Sequence, residues 1–285
     1  MQLVHTISEL RRCHDQARAN GARVGLVPTM GFLHAGHRSL MEAARAQNDL
    51  VTVTIFVNPL QFGPTEDLDA YPRDLDGDLA LATEAGVDVV FAPTVAEMYP
   101  GGAVATSVRV SGLADQLEGA SRPGHFDGVA TVVAKLFSIA GACRAYFGEK
   151  DYQQLQIVTR MAADLSIPVE VVACPTVREP NGLARSSRNA YLDDGQRQAA
   201  AVLKRALDAA AHAISSGGER DPLTVETLMA AIVGQEPQAE LDYARVVHAA
   251  TLEAVNPLAG QLRLLIAARV GPARLIDNVG ASAPT

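Results

Sequence analysis

The sequence contains no tryptophan, and Phe and Tyr together make up only 5% of its residues. Proteins that bind single-stranded nucleic acid rely on such aromatic side chains to stack the bases. Positive charge is also in short supply, because 24 Lys and Arg face 32 Asp and Glu, for a net charge of −8. The composition therefore argues against a nucleic-acid binder, which needs a basic face. A small anionic ligand in a locally positive cleft remains compatible with it.

Cysteine is scarce as well, and Cys13, Cys143 and Cys174 show no C-x-x-C spacing. This pattern favours neither a disulfide framework nor a zinc site. No apolar run approaches the length that spans a bilayer. The first residues lack the apolar stretch of a signal peptide, since Arg11 and Arg12 follow a short mixed segment. We therefore expect a cytoplasmic protein that contacts neither membrane nor nucleic acid.

What the sequence does contain is 48% hydrophobic and 20% charged residues over 285 positions, enough for a soluble globular protein with a sizeable core. Short apolar, β-branched runs predict strands at 23–27, 50–56, 87–91, 106–110, 145–147 and 168–173. Helical patterns between most of them predict βαβ units and a parallel sheet. After residue 189 the pattern changes to Ala-rich helices, with strand-like runs near 240–248, 261–269 and 275–276. An α/β region followed by a smaller α+β region is therefore expected.

The stretch PTMGFLHAGH at 28–37 joins the first strong strand to a helix predicted to begin near His37. Free N–H groups at a helix N-terminus favour phosphate. Gly31 and Gly36 allow the backbone to approach a ligand closely, and His34 and His37 can both face it. An arbitrary histidine pair is more often polar surface. The flanking strand, the helix and the second glycine favour a nucleotide-phosphate site here.

Further polar side chains follow other predicted strands. Asn58 and Gln61 leave the strand at 50–56 at its carboxyl end, where parallel sheets bind ligands, although a plain polar turn is about equally expected. Lys150 opens a helix, a position that disfavours a cation unless it meets a bound anion. The loop 177–189 concentrates arginines and hydroxyls, which are good phosphate donors. Basic loops of this kind are often ordinary surface.

An acidic stretch lies between residues 65 and 78. Most of its carboxylates fit a solvated helix start, and the alternative for one of them is to help hold Mg²⁺ on a nucleotide. The acids are Glu66, Asp67, Asp69, Asp74, Asp76 and Asp78. The loop 121–128, with Arg122 and His125, predicts a surface turn when it is taken alone.

Five separated blocks together resemble the pantoate–β-alanine ligase family. H-x-G-H alone marks only the wider nucleotidyltransferase superfamily, and the other blocks narrow the assignment. The blocks are PTMGFLHAGH at 28–37, FVNPLQF at 56–62, RPGHFDGV at 122–129, GEKDYQQL at 148–155 and the loop 177–189.

The resemblance implies ATP-dependent condensation of pantoate with β-alanine, giving pantothenate, AMP and pyrophosphate through a pantoyl-adenylate. It also implies Mg²⁺ dependence and a homodimer. The implied architecture is a Rossmann-like domain over 1–176 that binds nucleotide and pantoate. A smaller α+β lid domain over 177–278 and a disordered tail over 279–285 complete this prediction.

The resemblance also assigns roles to individual positions. His37, His34 and Lys150 become catalytic, Gln61 and Gln154 bind pantoate, and Gln61 also meets β-alanine. Asn58, Tyr71, Arg122 and His125 are additional candidates, and Asp78 is the metal candidate. The implied ATP-binding residues are Met30, Gly31, Phe32, Leu33, His34, Ala35, Gly36, His37, Gly148, Glu149, Lys150, Asp151, Val177, Arg185, Ser186, Ser187 and Arg188.

Two positions depart from the family pattern. Arg185 stands where an apolar residue usually precedes the two serines, and Gly77 interrupts acids that are consecutive in some relatives. Two other functions remain open from the sequence. One is an H-x-G-H nucleotidyltransferase that keeps the nucleotide on its product, and the other is a non-enzymatic nucleotide- or RNA-binding module. Product analysis separates the first, and RNA binding at low salt tests the second.

Overall fold

The computed structural model describes residues 1–64, 66, 68–102 and 104–284. Asp67 of the acidic stretch and Thr285 of the predicted tail lie outside these described residues. The chain divides into two compact units. The first comprises residues 1–149 and 153–175, and the second comprises residues 150–152 and 176–285.

The first unit is built on a six-stranded sheet whose paired strands all run parallel. Its strands are β1 (Gln2–Val4), β2 (Val24–Thr29), β3 (Leu50–Ile55), β4 (Val89–Phe91), β5 (Cys143–Gly148) and β6 (Val169–Cys174). They lie in the order β1-β4-β3-β2-β5-β6. The chain therefore reverses direction across the sheet between β2 and β5, which is where open α/β sheets bind ligands.

Helices connect these strands, and their apolar faces cover the sheet. They are α1 (Ile7–Ala19), α2 (Ala35–Gln47), α3 (Leu75–Glu84), α4 (Val95–Met98), α5 (Glu118–Ser121), α6 (His125–Ala140) and α7 (Tyr152–Asp164). Met41 and Ala44 of α2 are fully buried in one core cluster with Val27 and Val53 of the sheet. Helical spacing puts Met41 and Ala44 on one face of α2, so burying that face fixes how the turn before α2 meets the sheet.

The second unit has a three-stranded antiparallel sheet and three helices. The helices are α8 (Asp194–Ala200), α9 (Val202–Ser215) and α10 (Pro222–Val233), and the strands are β7 (Ala239–His248), β8 (Gly260–Val270) and β9 (Ala273–Ala283), in the order β7-β8-β9. Leu203 and Leu207 of α9 pack in one core with Leu264 and Ile266 of β8. The predicted fold class, a Rossmann-like parallel sheet followed by a smaller α+β region, is confirmed.

Two local predictions are wrong. Residues 106–110 form no strand. There the backbone N–H of Val108 donates to the Thr131 hydroxyl (2.9 Å) rather than to a neighbouring strand. The tail from residue 279 is not disordered through Ala283, because it continues β9 and pairs with the beginning of β8. Small residues such as Gly280 and Ser282 concealed this strand, which its partner rather than its own composition specifies.

Candidate active site

The H-x-G-H turn leaves β2 and enters α2 with both imidazoles oriented by backbone N–H groups. The His34 Nδ1 accepts from Gly36 N–H (3.1 Å), and the His37 Nδ1 accepts from His34 N–H (3.3 Å). A ring nitrogen that accepts carries no proton, so each neutral ring carries its proton on Nε2. The two ring centroids lie 4.1 Å apart. The turn therefore supplies two adjacent Nε2–H donors, a feature that suits phosphate oxygens.

The backbone before these histidines adopts a conformation that L-residues rarely take. Gly31 has φ +85°, and Phe32 follows with φ +50°. A Cβ on Gly31 would lie 2.9 Å from the Asp78 Oδ2. Left-handed backbone at a non-glycine residue persists only when its surroundings hold it in place. The contacts of Asp78 provide that restraint.

Asp78 is 3% exposed and accepts two backbone hydrogen bonds from the turn, from Phe32 N–H (2.9 Å) and Leu33 N–H (2.6 Å). Burial raises the pKa of this carboxyl, and the two hydrogen bonds partly offset the rise. Both carboxylate oxygens are thus used in holding the turn. In the part of the chain that the structure describes, no group of three or more His, Cys, Asp or Glu side chains could hold a metal ion. A magnesium ion on a nucleotide needs only one or two carboxylates besides the phosphates, so the metal role of Asp78 stays a prediction.

Gln61 lies in a short 3₁₀ turn (Pro59–Gln61) after β3, and the buried Asn58 orients its carboxamide. The Asn58 Nδ2 donates to the Gln61 Oε1 (2.9 Å) and to the Gly128 carbonyl (3.2 Å). The Asn58 Oδ1 accepts from the Tyr99 hydroxyl (2.8 Å). These bonds direct the Gln61 Nε2 toward Met30, whose Sδ lies 3.1 Å away. Asn58 is only 1% exposed, so the structure places it behind Gln61.

Arg122 and His125 contact the same turn from the start of α6. Arg122 forms a two-pronged ion pair with Glu66 (2.7 Å for each contact), which lowers the pKa of Glu66 to about 2. Its Nη1 also lies 3.0 Å from the His125 Nε2. A guanidinium can only donate, so His125 carries its proton on Nδ1 and donates it to the Gln61 carbonyl (2.8 Å). The predicted surface turn is therefore tied to Gln61.

Adjacent glutamines of α7 have different environments. Gln153 is 3% exposed, and its side chain bonds Glu118 N–H (3.0 Å) and two carbonyls of the turn at 113–116 (2.7 Å each). Gln154 is half-buried, and its carboxamide has no hydrogen-bond partner among the described residues. Tyr71, another candidate, is 7% exposed and packs edge-on against Phe62.

In the second unit, Lys150 lies within a 3₁₀ segment (Glu149–Asp151) that follows Gly148, the last residue of β5. The Lys150 Nζ lies 3.4 Å from the Asp151 carboxylate. The Lys150 side chain keeps 19% of its surface exposed, against 50% for Asp151. Such a partly exposed pair contributes little to stability.

The loop 177–189 begins as a tight turn, because Arg178 and Ala184 form an antiparallel bridge. Arg185 N–H then donates to the Val177 carbonyl (2.9 Å). Ser186 caps a second 3₁₀ segment (Ser187–Tyr191), with its Oγ accepting from Arg188 N–H (3.3 Å). Among the described residues, the Arg185 guanidinium has no hydrogen-bond partner. Most of the predicted phosphate-facing side chains therefore lie on two short segments of this unit.

Several residues that shape this region were not singled out by the sequence. Tyr99, Gln153, Asp277 and Asn278 are all buried and hydrogen-bonded to candidate residues or to segments that carry them. The bonds from Tyr99, Gln153, Asp277 and Asn278 to those candidate residues and segments span from 35 to 128 positions of the chain. No local pattern marks such contacts. The adjacent polar pair Asp277-Asn278, inside a strand-forming run, is the one signal that was available.

Comparison with known proteins gives concordant matches over nearly the whole chain. The family profile described as "Pantoate-beta-alanine ligase" matches residues 2–280. A pantothenate synthetase of Moorella thermoacetica is 52% identical over 279 residues, covering 98% of each chain. One of Rhizobium etli is 50% identical, covering 98% of this chain and 93% of the relative.

Solved structures agree. A pantothenate synthetase from Thermus thermophilus superposes with a TM-score of 0.91 at 50% identity, covering 98% of this chain and 99% of the other. A pantoate-beta-alanine ligase from Francisella tularensis, complexed with beta-gamma ATP and beta-alanine, superposes with a TM-score of 0.80 at 33% identity. The match covers 98% of this chain and 97% of the other. Separately, each helix among the described residues is too short or too polar to cross a bilayer.

Proposed function

This chain belongs to the pantoate–β-alanine ligase family, and we propose on that basis how its residues share the work of the reaction. It is an ATP-dependent ligase that joins pantoate to β-alanine and releases AMP and pyrophosphate. The paired Nε2–H donors of His34 and His37 are the observation that supports this role best. The other candidates are assigned around them.

A carboxylate is a poor acyl donor because its leaving group would be oxide. Adenylation removes this obstacle in two displacements. A pantoate carboxylate oxygen bonds to the α-phosphorus of ATP while the bond to pyrophosphate breaks. The amine of β-alanine then bonds to the acyl carbon, the bond to AMP breaks, and the amine loses a proton. The first displacement gathers negative charge on phosphate oxygens, so donors fixed beforehand lower its barrier.

Phosphate charge is met by donors of different kinds. We assign His34 and His37 to the α-phosphate through their Nε2–H groups, with the N-terminus of α2 contributing its dipole. Lys150 supplies a full positive charge, and the segment from Arg185 to Arg188 supplies hydroxyls and guanidinium groups. The remaining ATP contacts are those implied by the family pattern. They are Met30 to His37, Gly148 to Asp151, and Val177.

Pantoate is assigned to Gln61 and Gln154. Because the Gln61 Oε1 accepts from Asn58 and one Nε2 hydrogen is directed at the Met30 Sδ, we assign the other Nε2 hydrogen to the ligand. That end donates, which suits a hydroxy acid's oxygen atoms. Gln154 lacks a hydrogen-bond partner among the described residues and can both donate and accept. Gln61 is also the assigned contact of β-alanine.

Magnesium, a homodimer and a cytoplasmic location remain predictions from the family resemblance. Magnesium on the triphosphate would neutralise charge, as it commonly does with substrate phosphates. Removal of divalent ions with EDTA, followed by re-addition of Mg²⁺, tests that requirement through AMP release. Sedimentation of the purified protein tests the dimer, and fractionation of the source cells tests the location.

The direct test supplies ATP, pantoate and β-alanine and then omits each in turn. We expect AMP only when all three are present, and pyrophosphate when ATP and pantoate are present. A product that retains the nucleotide, or AMP release that ignores pantoate, would instead favour another H-x-G-H nucleotidyltransferase. Mass spectrometry of the products distinguishes these results.

A further inference from the structure

Asn278 of β9 uses both ends of its carboxamide inside the second unit. Its Nδ2 donates to the Lys150 carbonyl (2.8 Å), and its Oδ1 accepts from the Arg263 Nε (2.7 Å). The Arg263 guanidinium in turn lies 3.9 Å from the centre of the Tyr152 ring. Asn278 is 3% exposed, so both bonds are shielded from water. The backbone of residues 150–152 is thus held from β8 and β9.

The preceding residue, Asp277, holds the other phosphate-facing segment. Its two carboxylate oxygens accept from the Arg178 guanidinium at 2.6 and 2.9 Å, and Arg178 also donates to the Gly182 carbonyl (3.0 Å). Asp277 is 4% exposed. A buried carboxylate is unfavourable without such a partner, so Asp277 fixes where Arg178 lies.

The strand geometry explains why two adjacent residues can hold two segments. Successive side chains of a strand point to opposite faces. Ala273 and Leu275 of β9 belong to the core cluster with α9, and Asp277 has the same parity as they do. Asn278 therefore lies on the other face, together with Arg263 of β8. One strand thus holds residues 150–152 on one face and the turn at 178–184 on the other.

A buried ion pair is weak evidence for stability, because desolvation offsets most of its attraction. What it does provide is a fixed geometry. Arg178 is followed in the chain by the turn that returns to Arg185 and Ser186, and Arg185 bonds the Val177 carbonyl (2.9 Å). Asp277 and Asn278 therefore set the spacing between Lys150 and the segment 185–188.

We propose that Asp277 and Asn278 are positioning residues for ATP, acting through Arg178 and through the Lys150 backbone. This inference rests on the proposed function for the identity of the ligand. Since Gln61 and Gln154 belong to the first unit, changes at the Asp277-Asn278 pair should alter ATP affinity and the rate of adenylation while leaving pantoate affinity unchanged.

The test uses the full-length protein with Asn278→Ala, which removes the bonds to both Lys150 and Arg263, and with Asn278→Asp, which keeps an acceptor for Arg263 but replaces the N–H to Lys150 with a carboxylate oxygen and adds a charge. Both variants lose the bond to the Lys150 carbonyl, and this loss should raise the KM for ATP by at least about tenfold. The KM for pantoate should change less than about twofold. Asp277→Asn should likewise raise the KM for ATP and leave the KM for pantoate nearly unchanged.

Three controls separate positioning from general damage. Gln261→Glu adds a charge to β8 at an exposed residue. Asp242→Asn breaks a surface ion pair to Arg274 of β9. Leu264→Ala destabilises the core of the unit. We expect lower thermal stability in the last and an unchanged ATP KM in all three.

Equal ATP KM values in wild type and both Asn278 variants would overturn the positioning role, as would a parallel rise in the pantoate KM. Wild-type protein that releases no AMP would instead contradict the proposed function. In that case, equilibrium binding of a non-hydrolysable ATP analogue still decides the inference. Weaker binding by Asn278→Asp than by wild type supports it, and equal or absent binding contradicts it.

Discussion

The turn at 30–37 and the loop at 177–189 are both assigned to phosphate, yet they are held in different ways. In the turn, the restraints on the histidines are local, since His34 bonds Gly36 and His37. The loop has local hydrogen bonds too, and it is also held by the ion pair of Arg178 with Asp277, 99 positions later. Charge is paired with charge in the loop, whereas in the turn a single carboxylate, Asp78, accepts backbone N–H groups.

This difference indicates how each segment should respond to change. The two imidazole rings are fixed by their own neighbours, so they keep their orientation as long as Asp78 holds the backbone of the turn. A segment fixed by a distant side chain depends on tertiary structure at one point. We therefore expect substitutions in the turn to affect chemistry directly, and substitutions behind the loop to act through affinity.

The largest expected effect is at the reacting phosphate. His37→Ala and Lys150→Ala should each slow pyrophosphate release in single-turnover assays by roughly 10²–10³, with the fold intact, because each removes a fixed donor to the developing charge. His212→Ala, at an exposed residue of α9, is the control. A near-normal rate of pyrophosphate release in only one of the two variants would mean that only the segment carrying the other residue stabilises the developing charge.

Asp78→Asn tests whether the turn is held as described. The amide can accept from only one of the two N–H groups, so a buried donor loses its partner at a cost of about 2 kcal/mol. For a protein of this size, we expect Tm to fall by roughly 4–8 °C. Asp76→Asn, in the first turn of the same helix but exposed, should change Tm far less. An equal fall in Tm for the two substitutions would mean that Asp78 stabilises only the start of α3 and does not hold the turn.

The neighbouring glutamines of α7 differ in the same way, because Gln153 holds the segment 113–118 whereas Gln154 is assigned to bind pantoate. Gln154→Ala should raise the KM for pantoate about tenfold and that for ATP much less, since it removes a ligand contact. Gln153→Ala should lower Tm instead, because Glu118 N–H and two carbonyls lose their partner. The two roles would be reversed if Gln153→Ala changed the pantoate KM without changing Tm.

The smallest expected effect concerns the ion pair behind Gln61. The pKa of Glu66 is lowered from 4.5 to about 2, mainly by its hydrogen bonds with Arg122. The carboxylate therefore stabilises the folded state above about pH 4.5, and this contribution is lost as the pH falls toward 2. At about pH 7, Glu66→Gln should be less stable by about 1 kcal/mol. In urea unfolding near pH 3 the difference should shrink, and a constant difference would exclude the ionic contribution.

Much of the fold could be predicted from local patterns. Apolar β-branched runs marked five of the six parallel strands, because strands buried on both faces have near-continuous apolar composition. The strand predicted at 106–110 failed because Thr106 to Val110 have strand-like composition but no neighbouring strand to pair with among the described residues. The end of β9 was missed for the opposite reason, since Gly280 and Ser282 are poor strand formers that β8 nevertheless pairs.

The candidate site was predictable where residues a few positions apart in the chain form it. His34, Gly36 and His37 are neighbours whatever the rest of the chain does. The helical pattern of α7 could not show that Gln153 is buried while Gln154 is half-exposed. Composition could not show that both oxygens of Asp78 accept backbone N–H groups.

By itself, the sequence determined the acidic and tryptophan-free composition, most strands of the parallel sheet and the H-x-G-H turn, because the strands and the turn depend on residues close together in the chain. Only the tertiary structure decided which nitrogen of His125 carries the proton, which of the two adjacent glutamines is buried and hydrogen-bonded, and that Asp277 and Asn278 hold Arg178 and the Lys150 backbone. Those properties arise from hydrogen bonds and burial, and most of these contacts join residues tens of positions apart, which no local pattern records.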